Sequence, residues 1–179
     1  VSAMSVVISD KGPLFFTDTH VQNDPSAEQI AQAVLQATFR LKLFGITPKV
    51  ALVCHSNFGS SEAPSAKKMR EALQLILKRA PRLEVEGEMH VDAALKPEIR
   101  ERLFPDSRLT GAANLLVLPD LDAANAAYNL TRVMTDGIGI GPILMGMAKP
   151  AHVLTPSVTA RGIVNMTAVA VVEAQASDR

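Results

Sequence analysis

The sequence predicts an α/β fold: a three-layer sandwich with a mixed, mainly parallel sheet flanked by helices. Three observations carry this. Short apolar runs alternate along the 179 residues with amphipathic helical stretches, the pattern of strands joined through helices. Two of the runs, residues 49–54 (KVALVC) and 114–118 (NLLVL), are apolar almost throughout, as strands covered on both faces are. The first two runs flank Asp10-Lys11-Gly12-Pro13, a turn signal that makes them a hairpin.

Each element follows in order. Residues 5–8 and 14–17 are the hairpin strands. Ser26 is suited to cap a helix, and Gln29 stands three residues on to complete a capping box. That helix runs to about Phe44, with Ile30, Val34, Ala37, Leu41 and Phe44 on one face, and Gly45 ends it. Residues 49–54 form a central strand. Small and polar residues 55–65 lead into a helix over 66–79 whose inward stripe is Met69, Leu73, Ile76 and Leu77. Residues 83–89 read as a strand, and Asp92 opens a helix through Leu95, Ile99 and Leu103 to Phe104-Pro105. After the strand at 114–118, Pro119-Asp120-Leu121-Asp122 caps a helix over 123–134. Residues 138–145 and 153–154 are the last strands, and Thr159 caps a final helix that frays near Ala176. No repeat at solenoid periods is present. Ligand sites are expected at the carboxyl ends of strands, where loops meet helix N-termini.

The hydrophobic fraction is 47%, the aromatic fraction 4%, and there is no Trp, so the core is aliphatic. Eighteen basic residues balance eighteen acidic ones, which leaves no field favouring nucleic acid or an anionic membrane. No apolar run reaches the ~20 residues of a membrane-spanning helix, and Val1-Ser2-Ala3-Met4 lacks the charged and apolar regions of a secretory signal. The single Cys54 makes no internal disulfide and reads as a reduced, buried thiol. A cytoplasmic protein is expected.

Three segments have the residue types for chemistry. His55-Ser56-Asn57-Phe58-Gly59-Ser60-Ser61 offers backbone N–H groups and hydroxyls ahead of a helix, suited to a phosphate or carboxylate; the same residues also suit a capped connecting loop. No Gly-Lys-Thr/Ser follows, so it is not a Walker loop. Asp120 and Asp122 are capping acids, and Asn125 and Tyr128 share the face of the helix they open. Glu86, Glu88 and His90 alternate along a strand. With no second His or Cys at ligand spacing, a structural or subunit-contact role is favoured over a metal.

The order and spacing of several strings resemble the phosphate acetyltransferase (phosphotransacetylase) family. They are Gly141-Pro142-Ile143-Leu144, Lys149-Pro150, residues 151–156 (AHVLTP), residues 161–167 (RGIVNMT), 55–61 (HSNFGSS), 64–71 (PSAKKMRE) and 100–107 (RERLFPDS). Within the broader phosphate acetyl/butyryl transferase group they look most like the C-terminal domain of bacterial NADP-dependent malic enzymes. The resemblance implies an isocitrate/isopropylmalate dehydrogenase-like fold. Residues 1–150 would be the second lobe of a two-lobed domain, and residues 151–179 a segment returning to a first lobe upstream of Val1.

The active family members place Ser-Arg where this chain has Thr155-Pro156, and a catalytic Asp where it has Gly162. The resemblance therefore implies no catalytic residue here. It implies a regulatory domain that senses acetyl-CoA and oligomerises, in a malic enzyme whose NADP and divalent metal belong to the upstream part. The alternative is an active phosphate acetyltransferase in which Arg161 or Arg132 replaces the missing arginine. The implied ligand-binding set is Ser56, Asn57, Gly59, Ser60, Ser61, Asn125, Thr155 and Arg161; Arg161 either enters the site or faces solvent. A homodimer or larger homo-oligomer binding acyl-CoA, without nucleic acid, membrane or metal, is expected.

Overall fold

In the computed structural model, which describes residues 1–156 and 158–177, the opening residues form the expected hairpin. Strand β1 (Ser2–Ser9) pairs antiparallel with β2 (Gly12–Thr17), setting Val6 opposite Phe15. Helix α1 (Ala27–Leu43) starts with the full capping box: the Ser26 hydroxyl accepts the Gln29 N–H, and the Gln29 side chain accepts the Ser26 N–H at 2.8 Å. Ile30, Val34, Ala37 and Leu41 are buried and Phe44 half-buried. Gly45 follows at φ 75°, the left-handed conformation that ends helices most readily at glycine.

Strand β3 (Lys49–Val53) lies between β4 (Glu84–Met89) and β5 (Leu115–Val117), parallel to both. β5 is parallel to β2, and β6 (Ile138–Met145) is antiparallel to β1. The sheet order is β4-β3-β5-β2-β1-β6, so β1 alone runs against the other five and the sheet is mixed and mainly parallel. Its two faces are covered separately. Val50, Leu52, Phe15, Met4 and Ile143 pack with α1, α2 (Pro64–Arg79) and Met166 of α6 (Ala160–Ser177). The alternate residues Ala51, Val53, Phe16 and Val7 pack with α3 (Val91–Leu95), Ala124 and Tyr128 of α5 (Leu121–Met134). This alternation is the period-2 geometry of a strand buried on both sides, and it makes three layers.

Two expectations change. The single helix expected from Asp92 to Phe104 is two, α3 and α4 (Pro97–Leu103), because Lys96 is extended at φ −119° and ψ 102°. The residue before a proline is driven out of the helical region. Arg100 is fully buried; its guanidinium donates to the carbonyls of Ala93, Leu109 and Gly111 and ties down the break. Residues 153–154 form no strand. Pro150 and Pro156 flank them, each without a donor, and Val153 and Leu154 instead lie exposed over a cleft. The final helix is capped as expected, the Thr159 hydroxyl accepting the Gly162 N–H at 3.1 Å. Among the described residues, no helix is long and apolar enough to cross a membrane.

Candidate functional site

The loop after β3 is built around an acid from the next strand. Glu88 of β4 is fully buried. Its Oε1 accepts from the Ser56 hydroxyl at 2.6 Å, the Gly59 N–H at 2.9 Å and Arg70 of α2 at 2.9 Å. Ser56 in turn accepts the Ser61 N–H, and Ser60 accepts the Asn57 N–H. Gly59, at φ 88°, turns its N–H inward where a side chain would strain the backbone. Burial works to raise the Glu88 pKa, but the Ser56 and Gly59 hydrogen bonds and the Arg70 charge outweigh it and hold the carboxyl below its ordinary value. The donors that sequence reasoning assigned to an external anion thus meet an internal carboxylate. Asn57 closes the ring by accepting the His90 N–H at 2.7 Å. Cys54, beneath the loop, is half-buried, and burial pushes its thiol pKa up.

Asn125, on α5, donates to the Thr19 carbonyl at 3.1 Å and accepts from Asn129 at 3.0 Å. It anchors the segment after β2 to the helix. Asp120 caps α5 as expected, accepting the Ala123 N–H at 2.8 Å.

A second place has the shape of a binding site. Between α5, β6 and the start of α6 lies a cleft of about 250 Å³, lined by Tyr128, Arg132, Gly139, Thr155, Thr159 and Asn165 together with Ile140, Leu154 and Met166. Thr155 is in it; Arg161 is exposed on α6 and outside its lining. Positive charge is present here even without an arginine at position 156: Arg132 stands over the Tyr128 ring, 5.8 Å from its centroid. Tyr128 is largely buried, which raises its phenol pKa despite the opposing pull of Arg132. Among the described residues, no Asp or Glu lines the cleft.

The wall of this cleft is held from behind. His152 precedes Val153 and Leu154. Its Nδ1 accepts the Leu144 N–H at 3.2 Å, so the proton sits on Nε2, which faces Glu173 of α6 at 3.1 Å. Glu173 also meets Arg40 of α1 at 2.5 Å, and its side chain is 5% exposed. Burial acts to raise the Glu173 pKa, but His152 and Arg40 together bring it below the ordinary value. Arg40 and Glu173 are far apart in sequence, and nothing in the linear pattern pairs them. Arg70 and Glu88 had a weak signal, a strand that alternates Glu84, Glu86 and Glu88 with Val85, Gly87 and Met89, in which a buried acid must find a cation or donors.

The candidate residues therefore do not converge. Ser56, Asn57, Gly59, Ser60 and Ser61 sit at the end of β3; Thr155 sits beside β6. Four strand spacings separate these positions, roughly 19 Å. Glu86 and Glu88 are committed to backbone and arginine donors, Glu86 accepting the Arg108 N–H at 2.9 Å. Among the described residues no group of three His, Cys, Asp or Glu is arranged to hold a metal ion.

Comparison with known proteins agrees with this architecture. A family model described as phosphate acetyl/butaryl transferase matches residues 1–171. The chain is 58% identical over 172 residues to an NAD-dependent malic enzyme of Rhizobium meliloti (strain 1021), covering 96% of this chain and 22% of that protein. It is 53% identical over 174 residues to an NADP-dependent malic enzyme of Escherichia coli (strain K12), covering 97% and 23%. A solved phosphotransacetylase from Streptococcus pyogenes superposes with a TM-score of 0.90 at 31% identity, over 99% of this chain and 54% of that one. The chain thus spans less than a quarter of the malic enzymes it matches.

Proposed function

The chain belongs to the phosphate acetyl/butaryl transferase family, and from that premise we propose that it is a regulatory domain of a malic enzyme. It senses acetyl-CoA, assembles into homo-oligomers and does not itself transfer acetyl groups. Its place is the C-terminal part of a longer polypeptide, whose remainder holds the NADP and divalent metal needed to oxidise and decarboxylate malate. The relatives' names support the malic-enzyme assignment.

The observation that carries the reading is that, among the described residues, no carboxylate lines the Thr155 cleft. Acetyl transfer between CoA and phosphate requires a base for the thiol and a positive group for the phosphate. The cleft offers Arg132 for the second and no acid for the first, and Tyr128 has its pKa raised, away from service as a base near neutrality. Losing a general base typically costs 10²–10⁴-fold, whereas holding a thioester needs only shape and neutral contacts. Exposed apolar side chains support assembly: Val164 on α6 and Leu130, Val133 and Met134 on α5 are each more than 60% exposed, the kind of surface a second copy covers.

Three measurements on the full-length protein test this. Titration calorimetry should register acetyl-CoA binding, and acetyl-CoA should lower malate oxidation. Incubation with CoA and acetyl phosphate should yield no acetyl-CoA above background. Robust turnover would defeat the proposal and favour the second reading, an active phosphate acetyltransferase, for which the position of Arg132 is the supporting observation.

A further inference from the structure

Residues 147–154 make polar contact with the rest of the molecule through one side chain. Among the described residues, this segment has one hydrogen bond and one ion-pair contact to other elements, and both belong to His152. The Leu144 N–H of β6 donates to its Nδ1 at 3.2 Å, and its Nε2 stands 3.1 Å from Glu173 of α6. Pro150 has no N–H to add, and Val153 and Leu154 are exposed. Val153, Leu154 and the following Thr155 line the cleft. What fixes His152 therefore fixes that wall.

The His152 side chain is 5% exposed, and its contacts suit the neutral ring. The Leu144 N–H occupies Nδ1, so a proton added there faces a donor instead of an acceptor. The charged groups around the ring come from α6, α1 and the segment itself; β6 supplies none. Glu173 on α6 attracts a second proton, but its carboxylate is shared with Arg40 of α1, 2.5 Å away. Lys149 lines the adjoining groove with His152 and adds positive charge. Released into water, the ring carries both protons without conflict. Acid therefore favours the state in which His152 has left Leu144.

We propose that His152 is a proton-operated latch on the cleft wall. Neutral, it fastens residues 147–156 to β6 and α6. When Nδ1 takes a proton from solvent, the Leu144 N–H passes to water and the wall is released. Histidine is the side chain suited to such a response between about pH 5 and 8. Glu173, whose pKa is held below the ordinary carboxylate value, stays ionised there, so the ring and not the acid is the group that changes. The latch acts whatever ligand the cleft takes, and it does not depend on the acyl-CoA reading.

The test is hydrogen–deuterium exchange of the full-length protein, read by mass spectrometry from about pH 8 to about pH 5.5 and corrected for the intrinsic pH dependence of amide exchange. Peptides covering residues 144–155 should lose protection about tenfold on acidification, the worth of one hydrogen bond. His152→Asn offers an amide oxygen to the Leu144 N–H and does not titrate, so its protection should stay level over the same range. Wild type and His152→Asn losing protection in parallel overturns the proposal, and so does a wild type that keeps its protection throughout. If His152→Asn is already open at the upper pH, the wild-type profile decides. A loss that follows a single proton supports the latch, and a loss with no midpoint in the range overturns it.

Discussion

Replacing Glu88 by alanine should unfasten the loop after β3 and lower the stability of the whole molecule. The carboxylate is fully buried and accepts three donors, Ser56, Gly59 and Arg70, on one oxygen. Removing one member of a buried ion pair costs about 3–5 kcal/mol. Here the loss falls at the low end, because Arg70 is 29% exposed and keeps Glu62 and the Ser61 carbonyl, and Ser56 keeps Ser60. The Gly59 N–H loses its partner outright. About 3 kcal/mol is expected, which for a domain of this length is a fall of roughly 6–12 °C in melting temperature. Glu88→Gln retains an accepting oxygen and loses only the charge, so about 1 kcal/mol is expected.

The pH dependence separates charge from packing. The folded Glu88 pKa is lowered, so its contribution is full above the ordinary carboxylate pKa and is lost as pH falls through the folded value. Thermal melts by circular dichroism from neutral pH downward should show the gap between wild type and Glu88→Gln closing on acidification. A Glu88→Ala protein melting within about 2 °C of wild type, or a gap that ignores pH, would refute the internal-anion account of this loop.

Glu173→Gln should leave Arg40 and His152 with a neutral partner, cost about 2–3 kcal/mol, and raise protease cutting in the exposed segment before α6; unchanged cutting would show that the three side chains do not hold the cleft wall. Its folded pKa is also lowered, so this contribution, like that of Glu88, disappears on acidification and is present at neutrality. Ser26→Ala should cost about 1 kcal/mol, read as a shift of roughly 2–4 °C, because it removes one half of a capping box whose two hydrogen bonds are both formed; no shift would mean that α1 is held by packing alone.

Much of the fold was legible because it rests on local rules. The hairpin, the capping box at Ser26, the stop at Gly45 and the cap at Asp120 each involve residues within a few positions of one another, and all are present. The buried runs at 49–54 and 114–118 are apolar enough to demand cover on both faces, and that alone places β3 and β5 inside the sheet. The exceptions have equally local causes. Pro97 breaks one helix into two, and the prolines around 153–154 remove a strand.

The site was less legible because it depends on pairing across the molecule. Composition and spacing determined that the chain is an α/β domain with a small-residue loop after a central strand, and residue order pointed to its family. Only the folded molecule decided that this loop closes on Glu88, that Arg40 and His152 share Glu173, and that Arg132 and Thr155 line one cleft with no acid among its described residues. Helix caps and strand alternation depend on neighbours along the chain, so they can be read from it. Which buried charge meets which depends on sheet order and helix packing, and a one-dimensional pattern does not carry that.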